Sequence, residues 1–332
     1  MSNADQLKAL LKSHREGDEL HFYSIALQMA AMEARKGNGR AAEELKQMID
    51  AAKAGPAPIL KTVALHQPRG DLGTLLIASY PASRLSDLVA DARLRIQLDR
   101  VIREQRNASK LSAHGLSARR KLLFVGPPGT GKTLTAAALA GELALPLFVV
   151  RLDALITKFM GESAARLRQV FEAIASTRGV YFFDEFDAIG SQRSNSNDVG
   201  EARRILNSFL LMLEQDQSQS LILAATNHAA ILDGALLRRF DDVLQYRLPD
   251  AEQIEVLLQN RLAGHLTGRV AWKALVKKAT GLSYAEIAKA TEDALKEALI
   301  QGESAVTTKQ IVAMLDERSA MRDAWRQVSE AV

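Results

Sequence analysis

Eight consecutive residues, Gly126-Pro127-Pro128-Gly129-Thr130-Gly131-Lys132-Thr133, fit the pattern G-x-x-x-x-G-K-[ST] at every fixed position. Glycines let the backbone curl until several N–H groups point inward, a concavity that suits phosphate oxygens. A helix opening at the end of such a loop adds partial positive charge from its N-terminus. In that arrangement Lys132 reaches the β- and γ-phosphates of a nucleoside triphosphate, and Thr133 offers its hydroxyl to Mg²⁺. The loop follows the apolar run Lys121–Val125 and precedes an alanine-rich stretch, the strand–loop–helix context that the motif requires.

Two further groups stand at the tips of apolar runs. Val180-Tyr181-Phe182-Phe183 ends in Asp184-Glu185. Carboxylates at the C-terminal tip of a buried strand lie in the crevice where open α/β sheets bind ligands. Asp184 is expected to hold Mg²⁺ through water, and Glu185 to orient and deprotonate the attacking water. Leu221–Ala225 leads into Thr226-Asn227, and an amide at that tip can bond both the γ-phosphate and the lytic water. The chemistry these residues predict is hydrolysis of ATP.

The elements that position them follow from hydrophobic patterning. From Lys121 onward, short apolar runs alternate with helical stretches: Lys121–Val125, Leu147–Arg151, Val180–Asp184, Leu221–Ala225 and Val243–Tyr246. This alternation predicts an α/β fold, a parallel five-stranded P-loop sheet flanked by helices. After Pro249 the pattern is helical to the end. The expected domains are a helical N-terminal unit over 1–55 for docking a substrate or partner, a linker over 56–83, an α/β ATPase domain over 84–249, and a helical lid with a C-terminal helix over 250–332. Gly55-Pro56-Ala57-Pro58 marks the linker. Within it, Leu75–Ala78 stays open between short strand and loop. The polar residues 191–200 read as a loop.

Taken together, these residues resemble the AAA family, in particular the spastin- and katanin-like remodelling ATPases, over about residues 84–320. Lys158-Phe159-Met160-Gly161-Glu162-Ser163 is similar to the family's first pore loop. The resemblance implies that Lys158, Phe159, Met160 and Gly161 grip substrate polypeptide inside a ring. Leu237-Arg238-Arg239-Phe240-Asp241 resembles the arginine-finger segment, implying that Arg238 and Arg239 reach the γ-phosphate held by the next subunit. Glu201–Asn207 resembles the helix that carries signals between subunits. Leu88 and Val89 match the apolar slot for adenine, and Leu134 joins the nucleotide-binding set. Gly281-Leu282-Ser283-Tyr284-Ala285 resembles the lid signature Gly-x-Ser-Gly-Ala, with Tyr284 where the family has Gly. Read locally, Ser283 and Glu286 form a capping box. The implied cofactors are ATP and Mg²⁺. The implied partners are further copies of the chain in a hexameric ring, a protein substrate for chaperone-like remodelling, and a separate subtilisin-like protease, since the chain has neither G-x-S-x-G nor H-E-x-x-H.

Composition narrows the alternatives. The 332 residues include no cysteine, which excludes disulfides and thiolate metal sites. The net charge is +4, and the surplus sits in residues 84–121, with ten Lys/Arg against four Asp/Glu, beside the nucleotide loop rather than on an appended arm. Nucleic acid is therefore not the expected partner. The N-terminal MSNADQLKAL lacks a secretion pattern and no apolar run approaches membrane-spanning length, so a cytoplasmic protein without membrane contact is expected. Two rival classes stay open: a DNA-associated ATPase such as a transposition helper or loader, and a nucleotide-gated scaffold with little turnover.

Overall fold

The computed structural model describes residues 72–155, 162–189, 196–228, 237–267, 270–303 and 305–330. The expected N-terminal unit, residues 56–71 of the expected linker and the Lys158–Gly161 segment lie outside these residues.

Along the chain come α1 (Leu72–Leu75), β1 (Leu76–Ser79), α2 (Ala92–Arg106), α3 (Ala108–Ala113), β2 (Lys121–Val125) and α4 (Lys132–Leu143). They are followed by β3 (Leu147–Val150), α5 (Leu152–Leu155), α6 (Glu162–Ser176), β4 (Val180–Phe183), α7 (Ser196–Gln215), β5 (Leu221–Thr226) and β6 (Asp242–Gln245). Four helices close the chain: α8 (Ala251–Leu262), α9 (Trp272–Ala279), α10 (Tyr284–Ile300) and α11 (Thr308–Glu330).

Six strands form one sheet in the order β1-β3-β4-β5-β2-β6. The five predicted strands are parallel to their neighbours. A sixth, β1, adds antiparallel to β3 at the edge. It comes from the Leu75–Ala78 run, so the sheet draws on residues 72–79, which the sequence pattern assigns to the linker. A four-residue edge strand with one half-exposed side carries too weak an apolar signal to separate from a loop. The helix α7 also starts earlier than expected, at Ser196 inside the polar 191–200 stretch. Polar residues are favoured at helix starts, so composition misplaces such a boundary.

All residues of β4 and β5 are buried, as central parallel strands covered on both faces require. Alternate side chains serve opposite layers. Val180 and Phe182 pack with Leu122, Phe124, Leu98 and Val101 of α2, and Leu139 of α4. Tyr181 and Phe183 pack with Leu123, Ile222, Leu167 and Val170 of α6, and Phe209 of α7. The register Phe183↔Ala224 and Val125↔Thr226 aligns the C-terminal tips of β4, β5 and β2.

The last four helices have a core of their own, with Leu258, Leu275, Ile287, Ala294, Ile311 and Leu315 fully buried. The starts of α8 and α10 are capped. Asp250 and Gln253 form a capping box on α8. Ser283 and Glu286 form the predicted one on α10.

Phe209 anchors the strand that carries the acidic tip. It is fully buried, 5.0 Å from Phe183 at 75° and 5.7 Å from Phe171 at 69°. Edge-on aromatic packing adds to the area it buries. Phe209→Ala should therefore cost about 3–5 kcal/mol, read as a lower urea midpoint. Leu299→Ala, at a position 67% exposed, should shift the midpoint by no more than about 0.5 kcal/mol in the same assay.

Candidate active site

The loop after β2 is held from both sides. A Cβ on Gly126 would lie 2.3 Å from the Tyr246 carbonyl oxygen, so the residue after β6 leaves no room for a side chain there. Gly129 has φ +72°, and a Cβ on it would lie 2.6 Å from Ser283 Oγ of the lid. The start of α10 is bonded to the loop as well, with the Ala285 N–H donating to the Gly129 carbonyl at 3.0 Å. Inside the loop, Thr130 Oγ1 donates to the Pro127 carbonyl at 2.7 Å.

Lys132 opens α4 and is only 7% exposed. Its ammonium donates to the Gly126 and Pro127 carbonyls at 2.7 and 2.8 Å, and to Asn227 Oδ1 at 2.8 Å. Burial pushes its pKa below the usual lysine range, while Asp184 and Asp187 pull it back up. Beside it, Thr133 Oγ1 donates to Asp184 Oδ2 at 2.8 Å. The other Asp184 oxygen accepts from the Glu185 N–H at 2.9 Å. Glu185 sits at φ +49°, a conformation that costs a residue with a Cβ about 1–2 kcal/mol. Strain of this kind gathers at functional turns. Asp187 steadies the next strand tip by accepting from the Asn227 N–H at 3.3 Å.

These groups line one cavity of about 410 Å³. It brings together Leu88, Val89, Pro128 through Leu134, Asp184, Glu185 and Asn227. One end is polar, built from Lys132, Thr133, Asp184, Glu185 and Asn227. The rest of the lining is largely apolar, with Leu88, Val89, Leu134, Leu257 and Ala288 alongside Asp87 and Arg261. A polyphosphate suits the polar end and a purine the rest. The Thr133 hydroxyl beside the Asp184 carboxylate is a pair of hard oxygen donors of the kind Mg²⁺ takes along with phosphates and waters. Among the described residues no group of three or more His, Cys, Asp or Glu is arranged to hold a metal ion.

Gly126 and Pro127 serve through their carbonyls and do not line the cavity. Arg238 and Arg239 are not among its lining residues either. Their segment is fixed by buried Phe240 and by Asp241, whose carboxylate accepts from the Arg120 and Lys121 N–H groups at 2.8 and 2.9 Å. Lys121 begins β2, so the two arginines stand at the opposite end of that strand from the phosphate loop. Arg239 Nε donates to Glu214 at 3.3 Å, whereas Arg238 is exposed and makes no ion pair among the described residues.

Sequence patterning missed Asp187 as a partner of Asn227 and missed Leu257, Arg261 and Ala288 as lining residues. Leu257 and Arg261 are one turn apart on α8, yet only folding of the lid over the loop brings that face to the cavity. For Asp187 the signal is present, an acid three residues beyond Asp184, though its target lies on another strand.

The family model described as "ATPase family associated with various cellular activities (AAA)" matches residues 122–248. A Sinorhizobium fredii protein described as an uncharacterized AAA family ATPase is 34% identical over 326 residues, covering 97% of each chain. The ATP-dependent zinc metalloprotease FtsH of Metamycoplasma arthritidis is 30% identical over 245 residues, 71% of this chain and 33% of the relative. A second such metalloprotease, from Sphaerobacter thermophilus, is 32% identical over 254 residues, 75% of this chain and 52% of the relative. The chain thus spans a third to a half of these metalloproteases. These relatives support the family and not the spastin- and katanin-like subgroup. Among the described residues no helix is long and apolar enough to cross a membrane. With a relative matched from end to end and the family model laid over the sheet that carries the cavity, this chain belongs to the AAA family of ATPases and is an ATP hydrolase.

Proposed function

We propose that the chain uses ATP hydrolysis to remodel or unfold other proteins as a homo-oligomeric ring, with the cavity described above as the hydrolytic site. The observation that carries the site assignment is the convergence of Lys132, Asn227, Thr133 and Asp184 at three adjacent strand tips.

In this reading Lys132 exchanges its carbonyl and amide acceptors for the β- and γ-phosphate oxygens, which are stronger acceptors for an ammonium. The backbone of Gly126 through Thr133 cradles the phosphates, and Leu88, Val89 and Leu134 hold the base. Thr133 and Asp184 would hold Mg²⁺, which would supply charge neutralisation on the phosphates. Asn227 fixes the lytic water against the γ-phosphoryl group. Glu185 accepts the proton as water attacks phosphorus and the bond to the β–γ bridging oxygen breaks. Arg238 and Arg239 supply positive charge to the site of the neighbouring subunit, in the manner of arginine fingers.

The remodelling part rests on Lys158-Phe159-Met160-Gly161, which falls in the chain between α5 and α6, and on the metalloprotease relatives, whose names join ATP to cleavage of protein. We assign residues 1–55 to docking of substrate or partner and residues 250–332 to the lid and C-terminal helix. The ring is hexameric and cytoplasmic in this proposal, and proteolysis, where it follows, belongs to a separate protease.

Glu185→Gln should lower steady-state ATPase turnover by about 10²- to 10⁴-fold while ATP binding persists; turnover near the unmodified rate would remove Glu185 from the mechanism. Arg238→Ala should lower kcat by about 10³- to 10⁵-fold. Mixing it with the inactive Lys132→Ala chain should restore part of the activity, since every interface that sets the loop of the Arg238→Ala chain against the finger of the Lys132→Ala chain has both parts intact. Mixtures no more active than their parts would place the finger in its own subunit's site. Reduced, carboxymethylated α-lactalbumin, a permanently unfolded protein, should stimulate the ATPase of the unmodified chain and not that of Phe159→Ala. Stimulation by duplex DNA instead, indifferent to Phe159→Ala, would overturn the remodelling reading.

A further inference from the structure

Tyr284 departs from the family's lid signature, and the departure has a definite geometry. It is the first residue of α10 and is half-buried. It lines the cavity together with the apolar residues Val89, Leu257 and Ala288. Its hydroxyl donates to Gln253 Oε1 at 2.7 Å, and the same oxygen accepts from the Asp250 N–H at 3.1 Å in the capping box of α8. The next residue, Ala285, donates its N–H to the phosphate loop at Gly129. Two consecutive residues thus tie the start of α10 to the loop on one side and to the start of α8 on the other.

Burial, with the carboxylates of Asp250 and Asp91 adding to it, pushes the Tyr284 hydroxyl up to about 12, so it stays protonated and remains a donor near neutral pH. A phenol fixed at its far end by a hydrogen bond and at its near end by a helix start has little freedom to swing away. A purine entering the apolar half meets a preset aromatic surface, an arrangement that favours stacking without ordering cost.

We propose that Tyr284 is a base-binding residue whose ring closes the apolar half of the cavity over the adenine, held in place through Gln253. A glycine at this position offers backbone alone. Here the side chain takes over the contact, and affinity for the base shifts from main chain to a ring. The proposal rests on the cavity being the nucleotide site, and the experiment separates the two.

Binding of ADP and of inorganic tripolyphosphate, each with Mg²⁺, is measured by titration calorimetry on the full chain. Tyr284→Gly should weaken ADP roughly 5- to 150-fold, the range for losing one base–aromatic stack, and leave tripolyphosphate unchanged. Tyr284→Phe keeps the ring and should stay within about threefold of the unmodified chain for ADP. Lys132→Ala should weaken both ligands. ADP binding by Tyr284→Gly at the unmodified affinity overturns the proposal, as does an equal loss of both ligands, which would report a displaced lid. Tripolyphosphate binding indifferent to Lys132→Ala overturns the nucleotide assignment instead.

Discussion

A buried ammonium must be given acceptors, and the site is organised around that requirement. Lys132 is nearly inaccessible to water, and its three acceptors come from two segments, the loop carbonyls of Gly126 and Pro127 and the side chain of Asn227. An uncompensated charge at this depth would cost several kcal/mol, so the loop and the tip of β5 have to meet. They meet because β2 and β5 are adjacent and in parallel register. The requirement of one side chain thereby fixes the relation of two strands, and the next strand over, β4, delivers Asp184 to Thr133 on the same edge.

The packing beneath that edge serves it. Strands buried on both faces cannot shift register without moving every side chain to the wrong layer. The aromatic group of Phe171, Phe183, Phe186 and Phe209 pins the last residue before Asp184 and the turn after Glu185. Glu185 can then hold a left-handed conformation, because the residues on either side of the Asp184-Glu185 pair are buried and fixed. The start of α10 reaches the same loop through Ala285 and Ser283, so loop geometry depends on both hydrophobic cores.

Much of this is legible in the sequence wherever a local pattern carries it. Lys121–Val125 followed by Gly126 through Thr133 announces strand, loop and helix within thirteen residues, and Val180–Phe183 with Asp184 announces a buried strand and its acidic tip. Ser283 and Glu286 announce the start of α10. What is not legible is contact between segments far apart in the chain. Asp187 reaches Asn227 across forty positions, and Tyr284 reaches Gln253 across thirty-one. Strand β1 is illegible for a different reason, since four residues at an edge with two exposed side chains resemble any loop.

Among the described residues the cavity lining holds two cations, Lys132 and Arg261, against Asp87, Asp184 and Glu185, with Asp187 behind Asn227. A triphosphate adds several negative charges to a partly dehydrated site that is already short of positive ones, where like charges repel more strongly than in water. In the proposed ring, further positive charge for the transferring phosphoryl group comes from a metal ion beside Thr133 and Asp184 and from a neighbouring copy. Arg238 and Arg239 stand a strand's length from their own loop, about 16 Å at the rise of an extended chain, on a segment fixed by Phe240 and Asp241. A rigidly based arginine pair that does not line its own cavity, and a cavity deficient in cations, are complementary surfaces of one molecule. Repeated head to tail, such surfaces generate a closed ring when the rotation between copies closes.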